Sequence, residues 1–195
     1  KKNKIKMILS QFINIYFKTL RLDKNFFNNK NNFGEAAIYF AISIILINSI
    51  ISIIPNSAFL DFMGTYFGLG KVQGPSIKIV VFTSIIGWII KTIYVHFVGV
   101  IIFPSKNTNC NFRKSLILVA FVQTPLILNI IIFDTSFLFL ILITYIWYNI
   151  CLIVGINVIY NYKNIFKATI IALAPLILLF IYIISNFAGN SVTLS

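Results

Sequence analysis

The stretch IKIVVFTSIIGWIIKTIYVHFVGVIIF, residues 77–103, decides how this chain is read. Its formal charges are Lys78 near the start and Lys91 near the middle. At 1.5 Å per residue a helix of this length covers about 40 Å, more than the roughly 30 Å hydrocarbon core of a bilayer. It is therefore expected to span a membrane, tilted or emerging on one side, and Pro104 ends it. Four further apolar runs flank it, at about 36–54, 115–133, 136–160 and 165–187. Pro55 stops the first, and Pro125 and Pro175 fall near the centres of the second and fourth.

Composition agrees with this reading. The chain has 195 residues, of which 59% are hydrophobic and only 10% charged, against about 25% charged in soluble domains. A soluble core of this size cannot bury five such runs, so a soluble globular domain, a disordered chain and a secreted disulfide scaffold are excluded. No cleavable signal peptide is expected, because the first long apolar run begins only near Ala36. Cys110 lies in a polar loop and Cys151 in an apolar run, without metal-ligand spacing.

The net charge of +12 could suggest nucleic acid, but its distribution points to a membrane instead. Eight of the sixteen cations lie in the first thirty residues, from Lys1 to Lys30. Lys106, Arg113, Lys114 and Lys163 lie between alternate apolar runs, and Lys167 lies at the start of the last one. With five spans, thirteen cations fall on the side of the N-terminus, Lys71 and Lys78 fall on the other, and Lys91 is within a span. The positive-inside rule then predicts a cytoplasmic N-terminus and an external C-terminus.

Residues 5–21 are read as an amphipathic helix. Ile5, Ile8, Leu9, Phe12, Ile13, Tyr16 and Leu20 recur at helical spacing, and Lys6, Ser10, Asn14 and Lys18 step by four on the opposite face. Such a helix suits the plane of an anionic membrane surface; the alternative is an ordinary helix packed on protein. Residues 22–34 read as a linker with Phe26, Phe27 and Phe33 as interface anchors. The expected organisation is a cytoplasmic helix and linker (1–34), a five-helix membrane domain (35–187) and a short external tail (188–195).

Chemistry-bearing residues are sparse. One histidine, His96, and the scattered carboxylates Asp23, Glu35, Asp61 and Asp134 do not compose a catalytic triad, zinc site or carboxylate pair. Gly68-Leu69-Gly70-Lys71 lacks the spacing and following hydroxyl of a phosphate loop. Neither catalysis, cofactor nor metal is expected. Lys91 stands out, since a lysine at the centre of a span costs about 2.5–3.5 kcal/mol. It either snorkels toward an interface or belongs to a polar interior with Gln123 and Asn149 that binds a lipid headgroup or anion. Asn48, Ser84, Thr124, Asn129 and Thr144 fall at similar depth.

The runs at 77–103 and 115–133 form one unit, and those at 136–160 and 165–187 a second. Each turns through a short basic loop and returns through a helix with a mid-span proline. Phe112-Arg113-Lys114-Ser115 precedes Pro125, and Phe166-Lys167-Ala168-Thr169 precedes Pro175. Both units share one orientation, so the repeat is parallel. The order of elements resembles the Yip1 domain family in its prokaryotic form. An aromatic N-terminal stretch (Phe12-Ile13-Asn14-Ile15-Tyr16-Phe17, then Phe26-Phe27) is followed by His96-Phe97-Val98-Gly99 at a helix end. Next come Phe112-Arg113-Lys114-Ser115-Leu116, Thr124-Pro125-Leu126, Trp147, Gly155-Ile156-Asn157, and Lys167-Ala168 leading to Ala174-Pro175-Leu176. Two features differ: Phe103-Pro104-Ser105-Lys106 replaces an expected Gly-Gly pair, and the Asp-Leu-Tyr-Gly-Pro-like motif of eukaryotic members, which traffic vesicles through Rab GTPase partners, is missing.

The resemblance implies a five-span, all-α membrane helix bundle without established catalysis. Such a protein is expected to act by interaction in membrane organisation or trafficking-like processes. Its expected partners are anionic membrane lipids and other membrane proteins or further copies of itself, not nucleic acid. Its membrane would be the cell membrane in a prokaryote and an endomembrane in a eukaryote. The rival expectation is a small-solute or ion transporter built around Lys91.

Overall fold

A computed structural model describes residues 2–53, 74, 76–105, 110–131 and 139–192, and within these the chain is all-helical. Helix α1 is Lys2–Leu20, α2 Lys24–Asn28 and α3 Glu35–Ile51. Helix α4, Ile77–Phe97, continues into a π-helical turn, Val98–Ile102. Helix α5, Phe112–Phe121, is followed by a 3-10 stretch, Thr124–Ile131; α6 is Phe139–Ile159 and α7 Ile165–Val192. Most of the connection between the first two apolar runs (residues 54–73 and 75) and the connection at 132–138, which includes Asp134 and Thr135, lie outside the described residues.

Among the described residues four helical stretches are long and apolar enough to cross a membrane: Ile77–Ile102, Phe112–Ile131, Phe139–Ile159 and Ile165–Tyr182. The first expected span corresponds to α3, which is apolar but has 17 residues, or about 25 Å of helix.

Local chemistry sets the helix ends. The Asp23 carboxylate caps α2 by accepting from the Asn25 and Phe26 amides at 2.9 and 3.3 Å. Asn111 caps α5 through the Lys114 amide at 3.0 Å, and Asn164 receives the Phe166 amide at 2.9 Å at the start of α7. Helices α1 and α6 end alike. Leu22 and Asn161 take the left-handed conformation (φ 56° and 52°). The next amide in each case reaches back five residues, from Asp23 to Lys18 and from Tyr162 to Asn157, both at 3.0 Å.

Side-chain contacts fix the direction of the helices. Lys91 meets Tyr148, and eight residues further on Gly99 meets Tyr160 and Tyr162, so α4 and α6 run the same way. Ser115 meets Tyr160 and Asn129 meets Thr144, so α5 and its extension run opposite to α6. These contacts agree with two units in parallel.

The segment read as a linker is part of the core. Phe26, Phe27 and Phe33 are 3%, 2% and 7% exposed and do not anchor an interface. Phe26 and Phe33 flank the buried Phe121 ring at 5.9 and 6.1 Å between centroids, and the Asn32 side chain ties the following turn to the Phe26 carbonyl at 2.8 Å. The sequence pattern misleads because nine polar or glycine residues surround the three rings, and hydrophobic periodicity cannot show that short turns aim all three inward. The end of α1 docks here too. The Leu20 carbonyl accepts from the Trp147 indole at 3.1 Å, and the Thr19 carbonyl lies 3.7 Å from the Cys151 sulfur. By helical rise these contacts fall about 18 and 12 Å from the Ile159 end of α6.

Candidate functional site

The lysine singled out by the sequence lies on a groove between α4, α6 and α7. Helix α4 contributes Gly87, Ile90, Lys91 and Tyr94, α6 contributes Tyr145 and Asn149, and α7 contributes Ala172, Pro175, Leu176 and Leu178 around a cavity of about 410 Å³. That lies within the size range of small-molecule sites. A Cβ built on Gly87 meets nothing within 4 Å, which marks open space on this flank.

The Lys91 ammonium donates to the Tyr148 hydroxyl and lies 4.3 Å from the centre of that ring. Tyr148 is buried. A phenol and its ring ease the burial of a cation without neutralising it. Asn149 spends its amide nitrogen on the Tyr145 carbonyl, four residues back, at 2.8 Å.

Of the three residues expected to form one polar interior, Lys91 and Asn149 share this groove and Gln123 does not. Gln123 lines a second cavity of about 170 Å³ with Asn48, Ser49, Ser84 and Asn129, beside the 3-10 stretch. There the Asn48 side-chain amide donates to the Gln123 carbonyl at 3.0 Å, and Thr144 donates to Asn129 at 2.6 Å. The buried Asn48 Oδ1 has no hydrogen-bond partner among the described residues. Single-span depth groups all these residues together; which side of the bundle each occupies depends on helix rotation. The sequence reading also missed Tyr148, although Tyr145, Tyr148 and Asn149 at i, i+3 and i+4 share one helical face.

A third polar cluster joins α4, α5 and α6 near the end of the bundle that holds the 160–165 connection. The buried Ser115 Oγ lies 3.0 Å from His96 Nδ1, 2.6 Å from the Tyr160 hydroxyl and 3.4 Å from the Cys110 sulfur. Tyr162 donates to the Gly99 carbonyl at 2.6 Å, and its ring stacks on Tyr160 at 5.8 Å. Burial pushes the Cys110 thiol and the Tyr160 phenol above their usual ranges and raises Tyr162 to about 12. All three stay protonated at neutral pH, so the cluster works as a hydrogen-bonded clamp. Among the described residues no three of His, Cys, Asp and Glu come together as metal ligands.

Comparison with known proteins gives one finding. The family model described as the Yip1 domain matches residues 18–186. No curated protein and no solved structure matches the chain.

Proposed function

This chain belongs to the Yip1 domain family, a multi-pass membrane family, and we propose that it acts by interaction in organising the membrane or the proteins within it, without catalysing a reaction. In this reading the protein spans the bilayer five times, with its N-terminus cytoplasmic and its C-terminus external. Helix α1 serves as a basic platform toward anionic lipid and neighbouring membrane proteins.

The observation that carries the proposal is the attachment of α1. Its C-terminal end is bonded to α6 through Leu20 and Thr19, while Ile13 (45% exposed) and Phe17 (51% exposed) remain outward beside the exposed Lys18 and Arg21. An apolar and basic surface held fixed on the bundle suits contact with a membrane surface or an embedded partner. Photo-crosslinkers placed at Ile13 and Phe17 in native membranes are expected to give discrete adducts with lipid and membrane proteins. Proteoliposomes are expected to show solute flux no higher than protein-free vesicles.

A second reading, small-solute transport, is favoured by the cavity at Gln123. It combines an interrupted helix with an unpartnered buried oxygen, features found where spans line solute paths. Solute-selective flux abolished by Gln123→Leu would establish transport and overturn the interaction reading.

A further inference from the structure

We propose that the groove between α4, α6 and α7 binds a single-chain anionic lipid, its charged group on Lys91 and its acyl chain along the apolar wall. The inference rests on the reading that these helices span a bilayer and adds a ligand class to it.

Three observations converge. The first is charge. The Lys91 ammonium lies about 21 Å of helix from Ile77 and about 16 Å from Ile102, too deep for a short reach to either end of α4. Its partner is the neutral phenol of Tyr148. A cation at this depth gains most from a ligand that brings the opposite charge. The second is the lining. Lys91, Tyr94, Tyr145 and Asn149 supply polar groups on one side, while Ile90, Leu176 and Leu178 supply an apolar wall. An oxyanion joined to a hydrocarbon chain matches both; a soluble anion leaves the wall unused, and a neutral chain leaves the lysine uncompensated. The third is size and access. A cavity of about 410 Å³ suits one chain with a small headgroup better than a two-chain phospholipid. The lining residues Ile90 and Leu178 are exposed on the surface, so a ligand can enter sideways from the lipid phase.

The test uses the full chain in nanodiscs of zwitterionic lipid, with oleate as probe. Oleyl alcohol is the uncharged control, and acetate and inorganic phosphate are the soluble anions. Bound oleate, measured with radiolabel and by native mass spectrometry, is expected to saturate near one per chain. Lys91→Gln is expected to weaken binding about tenfold to a hundredfold, the range of a charge-assisted contact. Lys91→Arg is expected to retain binding. Gly87→Leu fills the open flank, should fold because nothing lies within 4 Å of its Cβ, and is expected to reduce binding with an unchanged unfolding midpoint. Lys167→Gln is the distant-charge control and is expected to bind as the wild type does.

Equal binding of oleyl alcohol contradicts the role of Lys91. Competition by acetate or phosphate contradicts the role of the chain, and wild-type binding by both Lys91→Gln and Gly87→Leu contradicts the site. Alkaline carbonate extraction of the same protein separates the two levels of the argument. Protein that stays in the membrane and binds no oleate overturns the site alone; protein that is extracted overturns the membrane reading beneath it.

Discussion

Pro125 and Pro175 occupy matching places in the two parallel units, and they leave opposite marks on the chain. At Pro125 the helix ends: α5 stops at Phe121, and the chain continues as a 3-10 stretch from Thr124 to Ile131. At Pro175 the helix continues, and α7 runs unbroken from Ile165 to Val192. Proline removes the same bond in both places, leaving the carbonyl four residues back without its amide partner. In the first unit that carbonyl belongs to Phe121, and the Thr124 hydroxyl donates to it. In the second unit the residue before the proline is Ala174, which has no hydroxyl to offer. The surroundings differ as well. Pro125 is buried, with the Phe121 ring held between Phe26 and Phe33, whereas Pro175 is exposed on the Lys91 groove. A mid-span proline therefore fixes which backbone bond is lost, and the neighbours decide whether the helix changes form.

The sharpest break of this contrast is at its centre. Phe121→Ala should destabilise the bundle by about 3 kcal/mol or more, because it empties a fully buried aromatic site; unfolding titrations in mixed micelles read this directly. A loss below about 1 kcal/mol would mean that the N-terminal phenylalanines do not close around it.

Glycines extend the contrast between packed and open faces. A Cβ at Gly99 lies 3.1 Å from the Tyr160 ring, so Gly99→Ala should cost about 1–3 kcal/mol. Gly87→Ala, on the open groove, should be neutral or slightly stabilising by helix propensity. Equal effects at the two positions would remove the distinction.

Thr124→Val should cost about 1–2 kcal/mol by leaving the Phe121 carbonyl without its hydroxyl donor. Its counterpart, Ala174→Thr, adds a hydroxyl beside an already continuous helix and should shift the unfolding midpoint very little. Pro175→Ala should be neutral or stabilising by less than about 1 kcal/mol, since it restores one helical bond.

At neutral pH the smallest effect is that of the Ser115 clamp. Tyr162 is raised from its usual value of 10.0 to about 12, and Cys110 is shifted in the same direction. The unfolded chain therefore loses these protons first as pH rises. Stability should be flat at neutral pH and fall from about pH 9, where the unfolded Cys110 thiol ionises, up to about pH 12. Ser115→Ala removes a hydrogen bond that holds the Cys110 thiol down against burial, so it should widen that fall, and pH-dependent unfolding of the two proteins compares them.

Much of this fold is legible in the sequence because membrane spans announce themselves by length and composition, and the parallel units by their matching basic turns and prolines. The stretch from Phe26 to Phe33 is not legible. Its burial follows from the Asp23 cap and the turn fixed by Asn32, which act through geometry rather than periodicity. The site was legible by depth alone. A lysine at mid-span is conspicuous in any reading, but depth cannot separate Gln123 from Asn149, since helix rotation places them in different cavities. Nor does depth reveal Tyr148, a residue unremarkable in an aromatic-rich helix until Lys91 is placed against it.

The account depends most on the chain crossing the bilayer an odd number of times, with its two units pointing the same way. Single cysteines at Ser10 and Ser195, in a background with Cys110 and Cys151 replaced by serine, can be labelled with a membrane-impermeant maleimide in intact and in opened cells. The account predicts that Ser195→Cys reacts in intact cells and Ser10→Cys only after opening. Labelling of both positions under the same condition would contradict it.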